Sequence, residues 1–367
     1  MNLYSVAFSQ IYFSCALLAV LALLIRFSRP LTNGRQILSL TLLLPLIFIY
    51  LAGMHRTAGI DFDSYSAAYD GSGIQIPDVG YTGLTWITFR LGISFSTFLL
   101  LQGVFTLAAL WVVAKAKDAD SVVVIAIYLL HLAVVRDMSQ SRIALAVALY
   151  LLGQTRERVA SKVLLYLAAM SIHVTVAVLL LVWVFSNSSS RWRLSRQIIF
   201  AYLPLGALAL WGSGLLSLLS FIVPRVDIYL SWDEVAYGAP LESFGALIRT
   251  VLVVAAYLAA MRRFKRLDLQ PYLMTELAGA AILLGFSQFS IFAARLSNVA
   301  ISMYPFGIGI IALAYQKLPL SQRRNLAGFA VKGTVFSILI VLVLRPGSLD
   351  VLLEIVPTIL VTASGWD

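Results

Sequence analysis

Apolar windows long enough to cross a bilayer as helices, about 20 residues each, recur from one end of the chain to the other with no extended polar region between them. They predict helices near 5 to 25, 37 to 54, 95 to 114, 121 to 135, 142 to 155, 198 to 222, 244 to 261, 272 to 293, 296 to 316 and 327 to 344. The expected fold class is all-α, a polytopic transmembrane helical bundle of roughly 11–13 spans, forming one integral membrane domain over 1–367. Met1 to Ile25 carries no charge, exceeds a signal-peptide apolar core in length and follows no basic leader, so it reads as a retained first helix.

Three stretches depart from simple alternation. Lys162 and Arg191 fall on the same side by charge, yet a single apolar run joins them. Too short for two full spans, that run predicts a broken-helix hairpin near residues 159–186, turning at Ser171-Ile172-His173. Tyr81 to Leu91, short and mixed in polarity, suits a helix lying in the interface. Leu349 to Thr362 is apolar but broken by Glu354 and Pro357, and either spans or lies in the interface. No internal repeat of the kind that marks inverted-repeat transporters is visible.

Composition excludes a soluble fold. The 367 residues are 60% hydrophobic and 12% charged, with mean hydropathy +0.91, against about 45–50% apolar and about 25% charged in soluble domains. The net charge of +10 would suggest nucleic acid in a soluble protein, but here the basic residues gather in short inter-helix segments: Arg26/Arg29/Arg35, Lys115/Lys117, Arg156/Arg158/Lys162, Arg191/Arg193/Arg196, Arg262/Arg263/Lys265/Arg266 and Lys317/Arg323/Arg324. The positive-inside rule places these on the cytoplasmic side of a membrane, with no nucleic-acid partner. Two longer loops, about 55–94 and 223–243, carry the acidic residues and several aromatics, and fall outside. Cys15 is the only cysteine, which excludes a disulfide and a thiolate metal site.

Ionisable groups inside spans cost about 2.5 kcal/mol or more and mark function by default. Arg136, Arg142, Arg249 and Arg295 fall at or just within the outer ends of helices. A guanidinium donates two parallel hydrogen bonds to phosphate and keeps its charge when dehydrated, whereas the bland alternative is an interfacial arginine that snorkels. Arg142 opens the small-residue run Arg142-Ile143-Ala144-Leu145-Ala146, which lets another helix approach closely. Asp137, Ser139 and Gln140 extend this polar cluster, while Glu276 and Lys332 lie near the inner face.

Asp61 and Asp63 share one face if their segment is extended, and diverge on a helix. The pair then supplies a general base or holds a divalent cation; the cofactor-free, metal-free use is the one expected, and a solvated acidic loop is the bland alternative. His173, at the expected hairpin tip with Thr175 two residues on, is either a packing residue or a group that exchanges a proton near neutrality.

The order of these motifs resembles the EpsG-type branch of the Wzy oligosaccharide repeat-unit polymerases. Gly59-Ile60-Asp61-Phe62-Asp63-Ser64-Tyr65 is similar to the family's G-x-D-Y-x-x-Y, and Pro77-Asp78-Val79-Gly80-Tyr81 to its E-P-G-Y. Arg142-Ile143-Ala144-Leu145-Ala146 resembles R-Q-x-x-A, His173-Val174-Thr175 resembles H-x-S, and Arg295 to Pro305 matches a late arginine before an apolar helix. Ile143 departs from the usual glutamine, and Asp78 stands one residue from the usual acidic position.

The resemblance implies an inverting, GT-C-like glycosyltransferase acting on undecaprenyl diphosphate-linked donor and acceptor glycans at the periplasmic face, with membrane lipids around it and a chain-length regulator as a protein partner. Under it Arg136, Arg142, Arg249 and Arg295 grip diphosphate, Asp61 or His173 serves the acceptor hydroxyl, and Asp63, Tyr65, Tyr81 and Gln140 support them. A ligase that passes finished polymer to another acceptor needs the same groups. A membrane O-acyltransferase leaves the Asp61/Asp63 loop without a purpose, and a flippase or transporter asks for polar groups along a path between the two faces.

Overall fold

The computed structural model describes residues 3–28, 33–55, 62–71, 78–137, 140–188, 239–264, 267–285 and 296–317. The spans expected at 198 to 222 and 327 to 344, and Leu349 to Thr362, lie outside the described residues. All regular structure among the described residues is helical. Helices α1 (Leu3–Ser28) and α2 (Asn33–His55) form an antiparallel pair, followed by two short helices, α3 (Phe62–Tyr69) and α4 (Val79–Arg90). Next come α5 (Phe95–Ala116) and α6 (Ser121–Ile127), which runs on as a π-helix over Tyr128–Asp137. Then follow α7 (Ser141–Gln154), α8 (Val159–Ile172), α9 (Ala177–Ser188), α10 (Ala239–Phe264), α11 (Gln270–Gly285) and α12, whose 3₁₀ turn Ile301–Met303 leads into Tyr304–Gln316.

The chain is a helical membrane bundle. Asn33–Met54, Phe95–Ala116 and Leu296–Gln316 are long and apolar enough to cross a membrane, and Ser14–Arg26, Ser121–Ala133, Ser141–Gln154 and Val159–Ile172 are shorter apolar helices. Which way the faces point supports the same conclusion. On α1 the buried face is Cys15, Ala16, Ala19, Val20, Ala22 and Leu23, at helical spacing, while Leu17, Leu18, Leu21 and Leu24 are exposed. On α5 the inward face holds Gln102 and Thr106, and the outward face Leu101, Val104, Trp111 and Val112. Water would penalise that arrangement; hydrocarbon favours it.

Helix α6 is buried all round, from Ser121 through Leu130, as an apolar helix at the centre of a bundle should be. It touches α1, α2, α5 and α12, and its π-helical continuation touches α2 and α7. Gly309 of α12 lets it approach closely: a Cβ there would lie 2.6 Å from Val124 and 3.1 Å from Ala119.

At one end of the bundle Asp120 caps α6, its carboxylate accepting from the backbone N–H of Val122 at 3.0 Å and of Val123 at 3.3 Å. Gln316 of α12 donates to the same carboxylate at 2.8 Å, and Arg26 of α1 pairs with it at 3.5 Å. Lys117 lies at this end too: burial, and then Lys162 nearby, hold its ammonium below the usual lysine range. Arg26, Lys117 and Lys162, from three of the basic segments expected on one side of the membrane, therefore lie at one end of the bundle. Between α5 and α6 the chain turns on Asp118, a non-glycine residue at φ 51°. Ala119 N–H bonds to Ala114 at 2.9 Å and Asp118 N–H to Lys115 at 3.3 Å, the pair of bonds that closes a helix with a left-handed residue just past its cap.

The broken helix is found where expected. Helix α8 ends at Ile172, His173 is extended at φ −159° and ψ 120°, and a 3₁₀ turn over Val174–Val176 leads into α9. The Tyr150 hydroxyl of α7 donates to the Leu179 carbonyl at 3.2 Å, so the chain turns back at this point instead of leaving along the α8 axis. Helix α9 then packs on α11. In the loop after α2, helix α4 matches the interfacial helix expected from Tyr81 to Leu91. It buries Tyr81, Thr85 and Thr88 and exposes Val79, Trp86, Ile87 and Phe89.

Candidate active site

Opposite the Asp120 end, α3, α4 and α7 converge on Arg142. It is the second residue of α7, where the free N–H groups of the first turn and the helix dipole favour an anion. Its Nη1 is ion-paired with the Asp78 carboxylate, and its Nη2 donates to the Tyr65 hydroxyl of α3 at 3.2 Å. The guanidinium also lies over the Tyr65 ring, 4.9 Å from its centre. Tyr81 of α4 is fully buried, with its ring 6.4 Å from that of Tyr65 and its hydroxyl 3.4 Å from Ser141 Oγ. Gln140 occupies the cap position of α7 without a side-chain capping bond, and its buried Oε1 has no hydrogen-bond partner among the described residues.

Gly80 ties this cluster to His173. A Cβ on Gly80 would meet Ser171 Oγ at less than any real contact distance, with the Ser171 carbonyl carbon at 2.8 Å and its Cβ at 2.9 Å. Only glycine lets α4 press so closely on the end of α8. Asp78 stands two residues before this contact and His173 two residues after Ser171, so the aspartate and histidine motifs meet through it. At His173 the Thr175 hydroxyl is 2.8 Å from Nδ1, and the Thr175 backbone N–H donates to Nδ1 at 3.3 Å. The histidine thus caps the 3₁₀ turn that follows it.

The other expected residues divide into three sets. Asp61 and Arg295 lie outside the described residues. Asp63 falls in the first turn of α3 and Arg136 in the π-helix, with their side chains outside the described set. The extended backbone that would put the two carboxylates of this loop on one face is not found from Phe62 onward, because Phe62–Tyr69 is helical. Arg249 belongs to a different place. It is 2% exposed and pairs at 2.8 Å with Glu276, itself fully buried, while Thr250 donates to Glu276 at 3.0 Å and the Tyr304 ring lies 5.3 Å away. Glu276, expected near the opposite face from Arg249, instead meets it inside the bundle.

Reading the chain alone missed Asp78 as the partner of Arg142, and Glu276 as the partner of Arg249. A buried arginine needs a carboxylate, and in each case an acid was present in the adjacent hydrophobic or loop segment. Asp137, expected to extend the polar cluster beside the arginines, has tyrosine partners instead among the described contacts. Fully buried, it accepts from Tyr50 at 2.7 Å and from Tyr128 at 2.7 Å, joining α2 to the π-helix.

A family model described as the EpsG family matches residues 37–350. The chain belongs to the EpsG family. No curated protein and no solved structure matches it. Membership points to a polysaccharide polymerase-like role in a membrane. Within this EpsG-family chain, Tyr65, Asp78, Gly80, Tyr81, Arg142 and His173 come from four separate motifs, and the contacts above bring them to one end of the bundle.

Proposed function

We propose that this protein polymerises undecaprenyl diphosphate-linked oligosaccharide repeat units by inverting glycosyl transfer at the periplasmic face of the bacterial inner membrane. The observation that carries the reading is the placement of Arg142: a dehydrated guanidinium at the positive end of α7, set among two tyrosines and a serine. The growing chain is the donor, and diphosphate leaves its anomeric carbon as a sugar hydroxyl of a single repeat attacks from the opposite face. Arg142 and the first-turn N–H groups of α7 stabilise the departing charge, and the proton of the attacking hydroxyl passes to a base. Accepting the Thr175 N–H makes Nδ1 of His173 an acceptor, which leaves the proton of the neutral ring on Nε2. In that form the imidazole orients an oxygen by donating to it, so the base is assigned to Asp61. Arg136 and Arg295 are assigned to the diphosphate as well. Arg249, paired with Glu276 through Nη2, is assigned to holding α10 on α11, while its Nε and Nη1 have no hydrogen-bond partner among the described residues.

The test is purified protein in detergent with undecaprenyl diphosphate-linked repeats, no nucleotide sugar and no other acceptor. A ladder of longer lipid-linked glycans is expected, lost in Arg142→Ala and poorly restored by Arg142→Lys, because a point charge does not reproduce the fork. Transport through the bundle, which the buried Arg249–Glu276 pair would favour, leaves the repeats unchanged, and a ligase lacks its acceptor. Absence of a ladder, or a ladder from Arg142→Ala, overturns the proposal.

A further inference from the structure

Asp78 immediately precedes α4 and has the backbone of a helix cap, φ −78° and ψ 101°, yet its side chain makes no capping bond. An aspartate in this position ordinarily turns its carboxylate onto the free N–H groups of the first turn. Here the carboxylate turns to Arg142 Nη1, while Tyr65 takes Nη2. It therefore occupies a donor that a phosphoryl oxygen would need, since carboxylate and phosphate present equivalent anionic oxygens to a guanidinium. Both partners of Asp78, the arginine and the helix end, lie within the reach of one short side chain.

Resting on the reading of Arg142 as a diphosphate-binding group, we infer that Asp78 is a built-in placeholder for the diphosphate, holding Arg142 while the site is empty and swinging to cap α4 when substrate displaces it. Two consequences follow from the chemistry. Neither state strands a charge: Arg142 is paired by Asp78 or by the ligand, and the displaced carboxylate is received by backbone N–H groups at a helix N-terminus, where negative charge is favoured. Displacement also sets a threshold. The internal carboxylate weakens every anion that uses Arg142 by the same factor, so only a ligand with enough charge and acceptor oxygens to bind tightly in the first place, such as a diphosphate, holds the site open.

The experiment measures binding of inorganic pyrophosphate and inorganic phosphate to the full chain in lipid nanodiscs, by calorimetry and by the rise in melting temperature that bound ligand confers. Wild type is expected to prefer pyrophosphate. Asp78→Ser keeps a capping oxygen but removes the competing charge; it should bind pyrophosphate and phosphate each about tenfold more tightly, the preference between them unchanged. Asp78→Asn, also a capping residue, should behave alike and decides the matter if the serine variant does not fold. Pyrophosphate binding that is unchanged or weaker in these variants, but still lost in Arg142→Ala, overturns the placeholder and leaves the diphosphate site standing. Binding that survives Arg142→Ala removes the diphosphate site itself.

Discussion

Replacing Gly80 with alanine tests the seam between the two halves of the site, because the sign of the effect depends on whether the seam exists. In a helix free of neighbours, Gly→Ala stabilises by up to about 1 kcal/mol. At Gly80 the new methyl would press on Ser171, whose hydroxyl is held by the Ala168 carbonyl at 2.8 Å. The Ser171 carbonyl carbon lies 2.8 Å from the added Cβ and must withdraw by roughly 0.6 Å to reach an ordinary contact of 3.4 Å. Overpacking of this kind costs about 1–3 kcal/mol, more than the propensity gain, so the variant should be destabilised. Gly83, one turn on in the same helix, has nothing within 4 Å of an added Cβ, and Gly83→Ala should stabilise. Thermal unfolding in detergent, followed by tryptophan fluorescence, compares the two. Polymer length in cells should fall on the order of tenfold in Gly80→Ala and hold in Gly83→Ala, since moving catalytic groups by about 1 Å costs roughly a hundredfold. Equal stability and equal polymer in the two variants would refute the close approach of α4 to α8.

Other substitutions separate structural charges from functional ones. Glu276→Ala leaves Arg249 charged and buried, and should lower stability by about 3–5 kcal/mol, whereas the double change Arg249→Met with Glu276→Leu should recover most of it; both are read by melting temperature in detergent. Asp120→Ala removes the α6 cap and strands Arg26, at a cost of about 2 kcal/mol or more, and Asp120→Asn, which still caps, should lose roughly half as much in the same assay. Asp118→Gly relieves a left-handed aspartate and should raise the melting temperature, by an amount corresponding to about 0.5 kcal/mol.

Hydropathy located the helices well because it reads the surrounding solvent residue by residue: α5 was expected at 95 to 114 and runs Phe95–Ala116, and the break at His173 fell where two apolar runs were each too short. What hydropathy does not read is the pairing between helices. Nothing in Tyr128–Asp137, which lacks proline and glycine, announced a π-helix. The segment around Asp61 and Asp63 reads as either extended or helical from its residues, and Phe62–Tyr69 is helical. At the site, Arg142, Tyr65, Tyr81 and His173 were legible as residue types suited to the chemistry. Their grouping depends on the Gly80–Ser171 contact and on Asp78, and both are properties of how α4 docks. At Arg249 the residue type and depth are legible in the sequence, and the contact with Glu276 across the helix pair is not.

Helix α4 makes the surrounding lipid a working part of the protein. Its Tyr81, Thr85 and Thr88 face the protein and its Trp86, Ile87 and Phe89 face outward, with Arg90 stacked 5.5 Å over Trp86 like an anchor at a waterline. Because Asp78 and Gly80 begin this same helix, the height at which it floats governs how firmly the carboxylate meets Arg142 and how firmly the glycine meets Ser171. A thinner bilayer, or a short-chain detergent, would let the helix ride differently and so retune the catalyst without altering a single residue.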